Sequence, residues 1–344
     1  MPTAISSPPR LSIVIPAPAD AAALEETLVS VLENRPDGCE IIVVLGFEYG
    51  DPWNIHDEVR FIKAPVGANR VSCINLGLAA SRGRIFHVLA AGWRATPFWT
   101  DAAVEHFASE QVGAVVPLEV AADDLHRIVA TGIETRRSGR RVCLRPRGDA
   151  SRVQGFHAAE NAEPSGPTLE AGFWSSQMLA RLNNGFCLSC GDEYADADMA
   201  ASLRAAGGRV ILEPASRVVA AAERQQPQRP FAAGLYGERL FWRSLAAEPI
   251  LRSLVLHVFE ILRHALARAP LGTLPMLAGR LVAVLQFGSY VPRFRELRQL
   301  MQSRSEEAGQ RSLGDRSLRF EVGHDGGGVS RPRRRPRVPL RRSA

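Results

Sequence analysis

Lysine is almost missing from this chain: 42 residues are Lys or Arg, and Lys63 is the one lysine. With the abundance of alanine, that bias points to a GC-rich genome rather than to a function. Cysteine is sparse too. Five occur, an odd number at irregular spacing, so a disulfide framework is not expected and a reducing cytoplasm is the expected setting. No stretch reaches the roughly 20 apolar residues of a membrane-spanning helix; the nearest candidates are interrupted by Arg252, Glu260, Arg263, Arg268 and Arg280. Met1–Arg10 is polar and proline-rich, without the apolar stretch of a secretory leader. Acid is absent from residues 331–344, which carry seven arginines. The net charge of +6 therefore belongs to a tail, and the body of the chain is near neutral. That tail has no interleaved aromatics on which bases could stack, so nucleic acid is not an expected partner.

What is present is an ordinary globular composition, 46% apolar and 23% charged, enough for a sizeable core. Leu11–Pro16 is a short apolar run closed by proline and reads as a buried strand. Ala21–Asn34 has apolar residues at helical spacing, and Glu40–Leu45 is a second buried strand. Val59–Ile62 and Arg84–Leu89 are further strands. Between them Ala68–Ala80 is helical, with Gly83 expected as its C-cap. Phe98–Ser109 reads as a helix, Val112–Leu118 as a strand, Asp196–Ala206 as a helix and Arg209–Leu212 as a strand. Strands alternating with helices predict an α/β fold with a doubly wound, mostly parallel sheet and helices on both faces. Residues 119–167 are irregular and read as an insertion with short strands near Arg141–Leu144. A polar break at 223–230 separates this domain from 231–302, a helical C-terminal extension interrupted at Pro249, Pro270 and Pro275. Residues 1–10 are expected to be flexible, and 303–344 to form a disordered basic tail.

The order of landmarks in residues 11–222 resembles glycosyltransferase family 2, whose fold is the GT-A type. Leu11–Pro16 and Glu40–Val44 look like its first two strands. Gly67, Asn75-Leu76-Gly77, Ala80 and Gly83 follow its glycine and asparagine landmarks. Gly191-Asp192-Glu193, Ala195-Asp196-Ala197-Asp198-Met199, Leu203-Arg204 and Pro214…Val218 resemble its later motifs. The resemblance implies transfer of a sugar from a nucleotide-sugar donor to a glycan or lipid-linked acceptor. It places Pro16, Ala17, Gly67 and Asn75 on the donor side, Asp192 and Glu193 on the acceptor side, and Asp196 as the base that deprotonates the acceptor hydroxyl.

The chain departs from that pattern in its chemistry. The Asp-x-Asp that would hold Mn²⁺ or Mg²⁺ against the diphosphate is Ala90-Ala91-Gly92, so neither metal is expected at that site. The acid after the second strand is replaced by Leu45-Gly46-Phe47-Glu48, and the late histidine by Ala220. Arg94, with Arg82 and Arg84 near the same strand, is a candidate to replace the metal by binding the diphosphate directly. The alternative is a catalytically inactive homologue that binds a glycan or a partner glycosyltransferase. Asp196 is equally readable as a helix-end acid and Asp192-Glu193 as a solvated turn. Cys187-Leu188-Ser189-Cys190 has redox or zinc spacing, yet also reads as two small buried residues. Residues 250–266 and 277–290 carry wide apolar faces, readable as peripheral contact with the inner face of a membrane or as packing against protein.

Overall fold

The computed structural model describes residues 8–145, 163–182, 185–221 and 229–321. Residues 1–301 and 302–344 form separate units. Nine strands build one sheet: β1 (Leu11–Ala17), β2 (Cys39–Leu45), β3 (Val59–Lys63), β4 (Ile85–Leu89), β5 (Arg94–Ala95), β6 (Val112–Val120), β7 (Ile128–Ala130), β10 (Ala171–Ser175) and β11 (Arg209–Val219). The order is β3-β2-β1-β4-β10-β6-β11-β5, with β7 added on β6. Strands β3, β2, β1 and β4 run parallel, as do β6 and β11. Only β10 runs against its two neighbours between these groups. A separate hairpin joins β8 (Ile133–Thr135) and β9 (Arg141–Cys143).

Both faces of the sheet are covered, because its central strands are apolar on both sides. Ile13 and Ile15 of β1, Ile41 and Val43 of β2, and Leu89 of β4 pack with Leu24, Leu28 and Val31 of helix α1 (Ala21–Glu33). Helix α3 (Asp101–Glu105) lies on the same face. The alternate residues Val14, Ile42, Val44, Phe86 and Val88 pack on the other face. There they meet α2 (Arg70–Ala80), α4 (Ser176–Arg181) and α5 (Gly191–Ala205). The extension is helical: α6 (Pro230–Ser244), α7 (Ile250–Ala267), α8 (Thr273–Leu285) and α9 (Val291–Glu321).

Several boundaries differ from the sequence reading, each for a local reason. The helix expected over 98–109 shrinks to α3 and a 3₁₀ turn, because Phe98 sits at φ 60° and cannot start it. Ser81, not Gly83, caps α2. Gly83 is needed for space: a Cβ there would lie 2.6 Å from the Ser12 amide nitrogen. Helix α5 begins at Gly191, so Asp192 and Glu193 form its first turn rather than a loop before it. The strand expected to end at Leu212 continues to Val219 across an irregularity between Glu213 and Arg217. Pro275 lies in the first turn of α8, where no intrahelical donor is required, and does not break it. Helix runs to Glu321, beyond the expected onset of disorder at 303; the arginine tail at 331–344 and most of the 223–230 break lie outside the described residues.

His87 lies in this core. It is fully buried, stacks on Phe173 at 3.8 Å, and donates from Nδ1 to the Gly172 carbonyl at 2.9 Å. Burial pushes its pKa from 6.5 down to about 3, opposed by the Gly172 hydrogen bond. The unfolded chain therefore binds this proton at higher pH than the folded one. Its contribution makes stability fall as pH drops from 6.5 toward about 3. Denaturant midpoints measured across that window should fall less steeply in His87→Phe than in the parent; equal slopes would remove His87 as the cause.

Candidate active site

The C-terminal ends of the parallel strands β1, β2 and β4 open onto one edge of the sheet, where open α/β folds place their ligands. The turn after β4 lies there, and each of its amides from Ala90 to Gly92 is engaged. The Ala90 amide donates to the Glu170 carbonyl at 2.8 Å and the Ala91 amide to the Pro16 carbonyl at 3.3 Å. The Gly92 amide donates to the Ala23 carbonyl at 2.9 Å and to the Thr27 hydroxyl at 2.8 Å. The Thr27 hydroxyl donates to the Trp93 carbonyl at 2.8 Å. Gly92 adopts φ +92°, and a Cβ there would stand 3.2 Å from that of Ala221. Residues 90 and 92 therefore bring no ligand atom and little room for one. They do not fit Mn²⁺ or Mg²⁺.

Carboxylates nonetheless gather around this turn. Glu170 precedes β10 and is buried; its side chain accepts from Arg70 at 3.0 Å. Asp192 accepts from the amides of Arg70 and Val71, at 3.1 and 3.0 Å, and so caps the N-terminus of α2. Asp196 is completely buried and receives a bidentate clasp from Arg141 of β9, with contacts of 2.5 to 3.1 Å. Burial pushes its carboxyl up, against the pull of Arg141 and with the nearby Glu170 charge adding to the rise. Neither Asp192 nor Glu193 forms an ion pair among the described residues, but Asp192 is bound to the α2 amides whereas Glu193, half-buried, is not. Burial raises its pKa above the ordinary glutamate value; Asp192 adds to the rise, and Arg141 and Arg70 oppose it.

The remaining residues singled out from sequence are dispersed. Pro16 and Ala17 line the same sheet edge through their carbonyls, and Ala17 accepts from the Gly46 amide at 2.9 Å. Gly67 sits at φ +79° in the loop before α2. Asn75 holds the backbone of Phe186 from both sides at 2.8 Å, a structural clamp. Arg94 is exposed and lines a groove of about 770 Å³ with Glu25, Glu26, Trp53 and Leu125. Arg82 pairs with Glu40, which lies beside Ser12 at the opposite end of β1 and β2 from Ala90. Distance therefore separates Arg82 from the turn that it was expected to assist. Arg70, Arg141 and Glu170 carried no motif in the sequence. Their partners lie 122, 55 and 100 residues away.

Cys187 and Cys190 sit at the start of α5, with their donor atoms and that of Asp198 within 4.8 Å of one another. Asp198 already accepts from Arg243 at 2.8 and 3.0 Å and from Arg293 at 3.3 Å. Burial opposes its ionisation, but Arg293 and Arg243 outweigh it and hold its pKa below the ordinary range. Two guanidiniums thus take the charge that a zinc ion would need, and only three donors are present among the described residues. The hydrogen bond from Cys190 brings the Cys187 thiol down to about 6, while that same bond and burial push Cys190 up.

Two outcomes follow from these pairings. Arg141→Met leaves the Asp196 carboxylate buried and unpaired, and should lower the unfolding free energy by about 3–5 kcal/mol. Arg141→Met/Asp196→Asn should recover much of that in urea titrations at neutral pH; a loss under about 1 kcal/mol in the single variant would contradict it. Iodoacetamide at neutral pH should alkylate Cys187 first among the five cysteines, by peptide mass mapping. Faster labelling of Cys190 would reverse the assignment.

No family model matches this chain, and no curated protein sequence matches it either. Solved structures do. GalNAc-T7 with UDP, GalNAc and Mn²⁺ aligns at a TM-score of 0.51 and 12% identity. That alignment covers 72% of this chain but 54% of the other, so the chain spans about half of its length. The mannosyltransferase PcManGT from Pyrobaculum calidifontis, in complex with GDP-Man and Mn²⁺, aligns at 0.46 and 18% identity over 86% of each chain. At these identities the likeness concerns architecture: a mixed α/β sheet with helices on both faces and a helical C-terminal region, a GT-A-like fold.

Proposed function

We propose that this chain is a family 2-like glycosyltransferase that transfers a sugar from a nucleotide-sugar donor to a glycan or lipid-linked acceptor without a divalent metal. The fold supports the donor class: the solved structure with the stronger likeness holds UDP and GalNAc. The observation that carries the reading is the sorting of the four acids beside the Ala90 turn. Asp196 was the expected base, yet Arg141 clasps both of its oxygens. Glu193 is the acid bound neither by a guanidinium nor to the α2 amides, and its raised pKa makes it a better proton acceptor. In this reading Glu193 takes the proton from the acceptor hydroxyl as that oxygen attacks the anomeric carbon. The nucleoside diphosphate leaves with the bonding electrons. Arg70 and Arg141 supply the positive charge paired with Glu170 and Asp196, and Asp196 positions Arg141.

A second reading has its own support. The closed backbone of the Ala90–Gly92 turn and the locked Asp196 suit a scaffold that binds a glycan or a partner enzyme without turnover. Calorimetric titration with uridine, guanosine and thymidine diphosphates, with and without Mn²⁺, separates the two. The transferase reading expects one nucleotide to bind equally well in both conditions. It further expects Glu193→Gln to keep that binding while losing about 10²- to 10⁴-fold in donor turnover. No binding to any nucleotide would leave the scaffold reading. Binding with undiminished turnover in Glu193→Gln would remove Glu193 as the base.

A further inference from the structure

Helices α7 and α8 are built inside out. The side of α7 that faces the protein carries Ser253 and His257, both buried. The buried side of α8 includes Arg280. His257 and Arg280 converge on Glu238 of α6, itself buried. His257 Nε2 lies 3.0 Å from the Glu238 carboxylate, Arg280 donates to it at 2.6 Å, and the Trp242 indole donates at 2.9 Å. His257 Nδ1 donates to the Ser138 carbonyl at 2.7 Å. The opposite sides of both helices are apolar and open. Phe259 is 64% exposed, Leu274 77% and Leu281 59%. Sixteen large apolar residues between Ile250 and Phe287 are exposed in this way.

A water-soluble helix shows the reverse arrangement, with its apolar stripe inward. An apolar face of this breadth marks a surface that meets something other than water. The exposed positions of α8, from Leu274 to Leu285, are only leucine, valine, alanine and proline. A protein partner's interface is expected to carry hydrogen-bonding groups and aromatic anchors, roughly one hydrogen bond per 100–200 Å². This face offers no side-chain donor or acceptor on α8, which suits hydrocarbon. Charge agrees: Arg252 and Arg263 lie along one edge of the apolar face of α7, and Glu260 is turned inward and bonded to Arg263. No single helix among the described residues is long and apolar enough to cross a membrane. Helix α8 reaches that only when joined to α9, whose opening turns carry Arg293, Arg295 and Arg298.

We infer that α7 and α8 lie in the plane of a membrane surface, with their outer faces in the acyl region and the Arg252–Arg263 edge among anionic headgroups. The buried network of Glu238, His257 and Arg280 gives this pair a polar underside that docks on the protein instead of on water. The inference does not depend on catalysis, and it is tested apart from it.

The test is flotation of the full chain with vesicles of phosphatidylcholine, with and without phosphatidylglycerol. The parent should float with both and bind the anionic vesicles more strongly. Leu274→Glu/Leu281→Glu, both at exposed positions, should keep its circular dichroism spectrum and bind at least about tenfold more weakly. Arg252→Ala/Arg263→Ala should lose only the gain from the anionic lipid. Failure of the parent to float with either vesicle overturns the inference. So does a dimer in sedimentation that the double glutamate variant dissolves while vesicles bind neither protein, because the face would then cover a second copy.

Discussion

The ion pair between Asp196 and Arg141 is the constraint on which the rest of the site depends. A carboxylate with no solvent exposure cannot stay charged alone. Arg141 supplies its partner from β9, on a segment with little regular structure, and so ties the β8–β9 hairpin to α5. With α5 held there, Asp192 reaches the first amides of α2, and Arg70, the first residue of that helix, reaches Glu170. Glu170 and Asp196 are matched to guanidiniums and Asp192 to the amides of α2, while Glu193, in the first turn of α5, is bound to neither. The chemistry left to the site is decided by which carboxylates the architecture has already used.

The turn after β4 shows a second trade. In place of side-chain ligands its amides from Ala90 to Gly92 are all hydrogen-bonded, with the Thr27 hydroxyl accepting from Gly92 and donating to Trp93. This fastens α1 to the end of β4. A metal ion would deliver two positive charges to a diphosphate from one point. Guanidiniums deliver single charges from fixed planar forks, and cannot lose them at any ordinary pH. A site that relies on Arg70 and Arg141 would be insensitive to chelators, but it depends on the packing that aims those side chains.

The helical extension follows another logic. Its polar residues are inside because Glu238 needs partners once α6 is covered by α7 and α8. Glycines permit the close approach: a Cβ on Gly279 would lie 2.1 Å from the Phe231 carbonyl oxygen, and one on Gly234 2.0 Å from that of Met276. Once Arg280 and His257 turn inward, what remains outside α8 is aliphatic. The apolar face and the buried network are two sides of one arrangement.

The alternating strands and helices of residues 11–120 were legible in the sequence, because runs such as Ile41–Leu45 are apolar on consecutive residues and can only be buried on both faces. The absence of ligands at Ala90 and Gly92 was legible too, since no fold can give a side chain to glycine. Local steric facts were not: Phe98 at positive φ, or the crowding that makes Gly83 necessary. Nor were the pairings that sort the acids, because Asp192, Glu193 and Asp196 look alike in a string. The sequence by itself determined the layered α/β class, through the periodicity of its apolar runs, and that Ala90, Ala91 and Gly92 carry no side-chain ligand. Only the tertiary structure decided which carboxylate keeps its proton affinity and which helix faces stay bare, because both depend on electrostatic partners that lie far apart along the chain.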